Sequence, residues 1–296
     1  MKKQRKTLGI CNGNMEAPTI ELFEKIGVTI KFAHREHQSE IDASEGIGFI
    51  GRVLRMRPSA IPKNIENNII DCAVMGLDWL LEYAPKLLNY DLNGGFSPFN
   101  IITRLSYART SRQNARIVIV RKQEKREPHP KKGSSIYAEY QNLAQQIYPE
   151  ARVVFSDGST EAEVAKGLYD YGICISETEE TIRANCLKFE VLCDSPIVLV
   201  SRERTDEIEA LGEMLSGVLA AEPMEIVKMN AANQEILDAI LNVLTALLSP
   251  TVNNLAKGGF AIEAVVPKQN LLDLFINLRA RGATGWIQHD LNTVVR

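Results

Sequence analysis

Short apolar runs alternate with amphipathic segments along almost the whole chain of 296 residues. This alternation favours an α/β architecture with mainly parallel sheets. Predicted strands cover residues 8–11, 53–56, 69–75, 116–120, 153–155 and 171–176. Predicted helices cover 17–26, 59–67 with Ser59 as cap, 138–147, and 159–167 with Thr160 and Glu163 spaced as a capping box. A chain of this length allows two domains or three small ones.

The order of elements changes near residue 223. The predicted elements from here on are a strand at 225–229, a helix at 235–247, a break at 249–251, a strand at 260–266, a helix at 270–281 and a strand at 284–288. This order predicts a small ferredoxin-like or ACT-like module. Such modules more often bind small regulators or pack subunits together than carry out chemistry.

The overall charge gives no general attraction to polyanions, because the formal net charge is -3. Basic runs at residues 2–6 and 121–132 are interpreted as a solvated tail and loop rather than a nucleic-acid site. The five cysteines form no CxxC pair, which is typical of a reducing compartment. No signal-like or membrane-spanning apolar run is present in the sequence. We therefore expect a cytoplasmic protein with no nucleic-acid or membrane partner.

The sequence ETEETIRAN, residues 177–185, follows a predicted strand and begins a helix. Free backbone N–H groups and the helix dipole at such a start attract an anion such as a phosphate, and Thr178 and Thr181 add hydroxyl donors. Glu179 and Glu180 bring bulk and, if they point inward, charge that opposes an anion. The alternative is that these glutamates only satisfy the dipole of an ordinary helix start.

Several arginines are further candidates for anion binding. Arg55 and Arg57 lie at the carboxyl end of a predicted strand, where open α/β sheets bind ligands, although a surface ion pair explains them equally well. Four more crowd one segment and could hold a polyphosphate, an acidic neighbour or only water: Arg104, Arg109, Arg112 and Arg116.

His34 and His37 are spaced i, i+3, as a metal pair on a helix would be, but no third ligand stands nearby. We interpret the pair as solvated and predict no metal site built from protein ligands alone.

Seven stretches carry a family resemblance. They are LRMRPSAIP (54–62), IDCAVMGLDWLLE (70–82), DGSTE (157–161), ETEETIRAN (177–185), LSPTV (248–252), AVVP (264–267) and ARGATG (280–285). In this order they resemble the long form of ATP phosphoribosyltransferase, the first enzyme of histidine biosynthesis, across essentially the whole chain.

The resemblance implies a bilobed, periplasmic-binding-protein-like catalytic part with two mixed or mainly parallel α/β lobes. Lobe I is expected at residues 1–107 and 196–222, and lobe II, with the phosphoribosyl pyrophosphate loop, at 108–195. A ferredoxin-like regulatory domain is expected at 223–296. Family members assemble as homo-oligomers, so dimers or hexamers are implied.

The resemblance also implies the chemistry of a glycosyltransferase. ATP and phosphoribosyl pyrophosphate are joined through N1 of adenine, pyrophosphate is released, and Mg²⁺ is held through the substrate phosphates. No catalytic residue is assigned. The residues expected to bind the substrates are Glu177, Thr178, Glu179, Glu180, Thr181, Arg183, Gly158, Arg116, Arg55 and Arg57.

The resemblance further implies that histidine binds the C-terminal module as a feedback effector. The expected residues are Asn230, Ser249, Thr251 and Ala283. The alternative for residues 249–251 is that they form only a turn.

The departures from the family pattern concern phosphate binding. Residues 12–15 replace a lysine and a GRL sequence, Glu179 and Glu180 replace Gly-Thr, and Cys174 replaces an acidic residue. Two main hypotheses follow. The chain is a working, divergent transferase in which these glutamates turn outward or share magnesium, or it is a paralogue with lost or altered activity that acts as a histidine sensor or regulatory subunit. A transferase with a different substrate is a third possibility.

Overall fold

The computed structural model describes residues 5–32, 38–40, 48–86, 99–105, 115–244 and 249–295. The chain divides into two compact units, residues 1–216 and 217–296. The predictions for His34, His37, Arg109 and Arg112 lie outside the described residues.

The first unit contains eleven strands among its described residues. They are β1 (Lys6–Cys11), β2 (Gln38–Glu40), β3 (Ile50–Met56), β4 (Cys72–Gly76), β5 (Asn100–Leu105), β6 (Arg116–Lys122), β7 (Ser135–Ala138), β8 (Arg152–Phe155), β9 (Tyr171–Ser176), β10 (Leu187–Asp194) and β11 (Ile197–Ser201). The α-helices that begin in it are α1 (Glu16–Lys25), α2 (Ile61–Glu66), α3 (Leu77–Tyr83), α4 (Gln141–Ile147), α5 (Thr160–Lys166), α6 (Glu180–Ala184) and α7 (Asp206–Ala221).

The first sheet has the strand order β2-β3-β1-β4-β11-β5. β1 is parallel to β3 and β4, whereas β11 is antiparallel to β4 and β5. Every residue of β4 and β11 is buried. Their sequences are therefore continuous apolar runs rather than alternating ones, as expected for central strands covered on both faces.

The second sheet has the order β10-β6-β9-β7-β8. β7 is parallel to both β8 and β9, and β6 is antiparallel to β9 and β10. Helix α5 packs on one face, where Val164 joins Val118, Val120 and Cys174 in a buried cluster. The α/β class is confirmed, and both sheets are mixed, which is one of the two arrangements that the family resemblance implied.

Three local predictions were wrong. The predicted helix at 138–147 is instead β7 followed by α4, because the short segment 135–138 is inserted between β8 and β9. Ser59 lies inside a 3-10 turn (Pro58–Ala60), and the N-cap of α2 is Ala60. Ser159, not Thr160, occupies the N-cap of α5, and its side chain makes no capping bond.

The second unit has the order strand, helix, two strands, helix, strand. Its elements are β12 (Met224–Ala231), α8 (Gln234–Leu241), β13 (Thr251–Asn254), β14 (Phe260–Pro267), α9 (Leu271–Ala280) and β15 (Thr284–Asp290). All four strands pair antiparallel in the order β13-β14-β12-β15. This is the predicted ferredoxin-like arrangement, with β13 where the sequence indicated only a break.

No helix in the described part of the chain is both long and apolar enough to cross a lipid bilayer.

Candidate functional site

The candidate site lies at one edge of the second sheet. Since β7, β8 and β9 are parallel, their carboxyl ends meet there. β6 is antiparallel to β9, so its first residue, Arg116, lies at the same edge opposite Ser176. The chain continues from β8 into a turn at Gly158 and from β9 into residues 177–179, which we term the 177–179 loop. Stretches that are distant in the sequence therefore share one edge.

The 177–179 loop ends in an unusual backbone conformation. Glu179 has φ 62° and ψ 2°, in the left-handed region, and forms the N-cap of α6. Glycine adopts this conformation freely, whereas for a residue with a Cβ it costs roughly 1 kcal/mol. The loop thus keeps a glycine-type backbone at a position that holds a glutamate.

The carboxylate of Glu179 is bound between two arginines. Nη2 of Arg116 donates to Oε1 at 2.6 Å, and Nη2 of Arg183 donates to Oε2 at 3.1 Å. The hydrogen bond from Arg116, and after it the one from Arg183, lowers the pKa of Glu179 below its ordinary value. The Glu179 side chain is 19% exposed. Glu179 therefore points inward, so of the two placements that the working-transferase hypothesis allowed for it, the outward one is wrong.

The other residues of the 177–179 loop and of the start of α6 are more open to solvent. Thr178, Glu180 and Thr181 are exposed, and Glu177 is half-buried. Neither threonine hydroxyl is hydrogen-bonded to any residue that the structure describes. Both hydroxyls are therefore free to donate to a ligand.

The turn after β8 is held by a network of hydroxyl groups. Gly158 has φ 127° and Ser159 has φ 56°. The Gly158 N–H donates to Oγ of Ser156 at 3.2 Å, and that oxygen lies 2.7 Å from Oγ1 of Thr160. A Cβ at Gly158 would meet nothing within 4 Å, so glycine serves the backbone angle here rather than space.

Glu139 is the titratable residue that sequence reasoning missed. It follows β7, and its Oε1 lies 3.5 Å from the Thr160 hydroxyl. Burial raises the pKa of Glu139 to about 7, and the charges of Glu161 and Asp78 raise it further against opposing hydrogen bonds. Burial likewise raises the pKa of Cys174. The sequence signal for this residue was a glutamate placed between two apolar residues, Ala138 and Tyr140. Both of these neighbours are buried in the structure.

In the part of the chain that the structure describes, no hydrogen bond or ion pair joins Arg55, Arg57 or Arg104 to this edge. Nη1 of Arg55 donates to Oε1 of Glu16 at 2.8 Å, and its guanidinium lies 5.0 Å from the centre of the Phe32 ring. Arg57 lies just past β3 and is exposed, as is Arg104 on β5. Arg55 has thus formed the ion pair that was one of its two interpretations.

The four residues expected to bind histidine lie at two places along the four-stranded sheet of the second unit. Asn230 pairs with Thr284 of β15, the residue after half-buried Ala283, and Thr284 Oγ1 lies 3.5 Å from the Asn230 carbonyl oxygen. Thr251 begins the edge strand β13, and Ser249 precedes it; both are exposed. β14 separates β13 from β12, so Asn230 and Thr251 are two strand spacings, or ~10 Å, apart across the sheet, and Ala283, beside β15, is one strand further from Thr251.

Within the described ranges, no group of three or more His, Cys, Asp or Glu side chains is placed to hold a metal ion.

Comparison with known proteins assigns most of the chain to two family models. The model of ATP phosphoribosyltransferase, HisG, matches residues 57–218, and that of the HisG C-terminal domain matches residues 221–293. An ATP phosphoribosyltransferase of Nitratidesulfovibrio vulgaris (strain Hildenborough) is 32% identical over 97% of both chains. ATP phosphoribosyltransferase 1 of Geobacter sulfurreducens is 29% identical over 97% of this chain and 98% of its own length.

Among solved structures, a chain of the ATP phosphoribosyl transferase (HisG:HisZ) complex from Thermotoga maritima aligns with a TM-score of 0.51 and 19% identity. The alignment covers 67% of this chain and 87% of that chain, and at this identity it supports the fold alone.

The first unit has two mixed α/β sheets, and a ferredoxin-like unit follows it. Two arginines meet at the loop before a short helix, so the fold and the site define a multidomain α/β protein with a cluster of cationic side chains at one sheet edge. The chain belongs to the ATP phosphoribosyltransferase family, whose members are transferases of histidine biosynthesis.

Proposed function

We propose that this chain is an ATP phosphoribosyltransferase that joins ATP and phosphoribosyl pyrophosphate to form phosphoribosyl-ATP and pyrophosphate. The observation that carries the proposal is the convergence of Arg116 and Arg183 on one anionic group at the 177–179 loop. Guanidinium groups that meet in this way are well suited to phosphate oxygens. The family match over nearly the full chain supports ATP and phosphoribosyl pyrophosphate as the substrates.

In the proposed reaction, the bond from C1 of the ribose to pyrophosphate breaks as a bond from N1 of adenine to C1 forms. The pyrophosphate leaves with the electron pair of the C1–O bond and so gains negative charge. The chain's task is therefore to position both substrates and to stabilise the charge that develops. Arg116, the hydroxyls of Thr178 and Thr181 and the turn at Gly158 are proposed to hold the pyrophosphate-bearing substrate. Mg²⁺ is proposed to enter on the substrate phosphates, where it neutralises charge.

Arg55 and Arg57 are proposed to bind phosphate on the first sheet. For Arg55 this requires release from Glu16, whereas exposed Arg57 is available as it stands. Glu177, in the 177–179 loop, and Glu180, at the start of α6, are proposed to line the phosphate-binding site on the second sheet.

The second unit is proposed to be a regulatory domain for residues 223–296, with histidine bound near Asn230, Ser249, Thr251 and Ala283. Its ferredoxin-like fold supports this role, since such units commonly bind small effectors. The lobes are proposed at residues 1–107 with 196–222 and at 108–195, and the chain is proposed to form dimers or hexamers. All five cysteines are free thiols, which supports a cytoplasmic location.

The proposal is tested by incubating the purified full-length protein with ATP, phosphoribosyl pyrophosphate and Mg²⁺, and measuring phosphoribosyl-ATP and released pyrophosphate. Arg116→Ala should lower kcat/KM by about 30-fold or more, because a charge-assisted contact to phosphate is lost. Arg152→Ala is the control, because it removes an exposed arginine at the start of β8. Added histidine should lower the rate. Absence of phosphoribosyl-ATP under all these conditions would refute the proposed activity.

One observation favours the hypothesis of a paralogue with lost or altered activity. Glu179 already neutralises the charges of Arg116 and Arg183. That alternative predicts no product from the unmodified protein while histidine still binds in isothermal titration. The same preparation therefore separates the two candidate functions.

A further inference from the structure

We propose that the carboxylate of Glu179 is an internal competitor of the substrate, occupying the anion position between Arg116 and Arg183 until pyrophosphate oxygens displace it. This inference rests on the proposed function for the nature of the ligand. It names Glu179 as a residue that sets the affinity of this edge for phosphorylated substrates.

The two contacts of Glu179 resemble those of a bound anion. Each carboxylate oxygen accepts from a different guanidinium, at 2.6 and 3.1 Å, so a single group draws together side chains from β6 and α6. Arg116 and Glu179 are 63 positions apart in the sequence. Their pairing is consequently a tertiary contact rather than a helix-surface pair, in contrast to the i, i+4 pair with Arg183.

Arg116 retains unused capacity as a donor. Its Nε is buried and has no hydrogen-bond partner among the described residues. A carboxylate accepting from one Nη leaves that donor unsatisfied, although Arg side chains commonly bind anions through two donors at once. A phosphate or pyrophosphate presents more oxygens than Glu179 does, so it can satisfy Arg116 more completely.

The backbone does not require a glutamate at this position. Because glycine adopts the left-handed conformation of Glu179 without strain, the loop geometry survives removal of the side chain. The carboxylate therefore contributes charge to the site rather than shape. When a ligand displaces the carboxylate, the loop can therefore keep the same backbone conformation.

A change of pH is a poor way to release Glu179. Arg116, as the larger cause, and Arg183 hold the pKa of this carboxyl below its ordinary value, so it stays ionised throughout the neutral range. No other carboxylate contacts either arginine through a hydrogen bond or ion pair that the described residues show. Release must therefore come from a competing anion.

The test is isothermal titration of the full-length protein with inorganic pyrophosphate at constant Mg²⁺, without ATP. Glu179→Gln should bind pyrophosphate at least tenfold more tightly than the unmodified protein, because the competing charge is gone. Glu124→Gln removes the same charge from an exposed residue outside the proposed site, which has no ion pair among the described residues, and should change affinity less than threefold. Glu179→Gly is the second variant, and it keeps the loop's backbone conformation.

Equal affinity in the unmodified protein and both Glu179 variants would overturn the inference. So would an equal gain in Glu124→Gln, since that would be an effect of net charge, and so would the absence of pyrophosphate binding in every variant. The transferase assay is read separately. Tighter pyrophosphate binding without phosphoribosyl-ATP would refute the proposed function alone, whereas an active enzyme whose pyrophosphate affinity ignores Glu179 would refute this inference alone.

Discussion

At the scale of single residues, the protonation of Glu139 links the edge of the second sheet to pH. Its carboxyl faces the Thr160 hydroxyl and is exposed to the charges of Glu161 on α5 and Asp78 on α3. Burial, the largest cause, raises its pKa from an ordinary 4.5 to about 7. The folded protein therefore keeps a proton that the unfolded chain releases between these two pH values.

We predict that Glu139→Gln removes a pH-dependent destabilisation. The folded-state pKa is raised, so the contribution of Glu139 is fully favourable below pH 4.5 and is lost as pH rises through about 7. The unmodified protein should lose roughly 2 kcal/mol relative to the variant over this window. Urea unfolding of both proteins between pH 5 and 8 measures the difference. Exposed Glu124→Gln is the control, and a difference that does not change with pH would contradict the prediction.

At the scale of elements, the site depends on how closely α5 packs against β9. Gly172 in β9 faces the start of α5, and a Cβ there would lie 2.6 Å from Thr160, 2.9 Å from Val120 and 3.0 Å from Val164. These distances are well below ordinary carbon contacts. Glycine at this position thus allows α5 to approach and brings the turn at Gly158 beside Glu139.

We predict that Gly172→Ala destabilises the fold by about 2 kcal/mol through overpacking and displaces the beginning of α5. Gly48→Ala is the matched control, because a Cβ at Gly48 meets nothing within 4 Å and its φ is not in the left-handed region. The midpoints of thermal unfolding compare the two variants. If Gly172→Ala is as stable as Gly48→Ala, the close approach does not constrain this site.

At the scale of the whole molecule, one buried and one half-buried carboxylate join the sheets of the first unit. Asp78, on α3 after the first sheet, is 1% exposed and accepts from the Tyr140 hydroxyl at 2.7 Å, beside the second sheet. Glu82, also on α3, accepts from the N–H groups of Asn142 and Leu143 at 2.9 and 3.0 Å. Side chains of α3 thus supply the cap of α4 that its own N-cap residue lacks.

We predict that Tyr140→Phe destabilises the protein by about 2 kcal/mol, because a hydrogen bond to a buried carboxylate is lost. Tyr169→Phe removes a hydroxyl that makes no hydrogen bond to described residues, and is the matched control. The urea concentrations at half-unfolding compare the variants. A Tyr140→Phe variant as stable as the control would show that this bond does not hold the two sheets together.

How far the sequence predicts the structure differs among particular elements. β9 was predicted with its observed bounds, because large apolar residues at every second position, Tyr171, Ile173 and Ile175, precede a polar loop. β7 was missed because four residues carry too short a pattern to reveal a strand placed between two others. The order of elements predicted the ferredoxin-like unit, yet exposed β13 has no apolar pattern and becomes visible only through its pairing with β14.

By itself, the sequence determined the α/β class, the ferredoxin-like unit and the family, because these depend on local periodicity and on the order of motifs. Only the tertiary structure decided that Glu179 faces Arg116 and that Arg55 pairs with Glu16. The physical reason is that the partner of a charged side chain is chosen by distance in space. That distance is established only when β6 pairs antiparallel with β9 and brings residues 63 positions apart together.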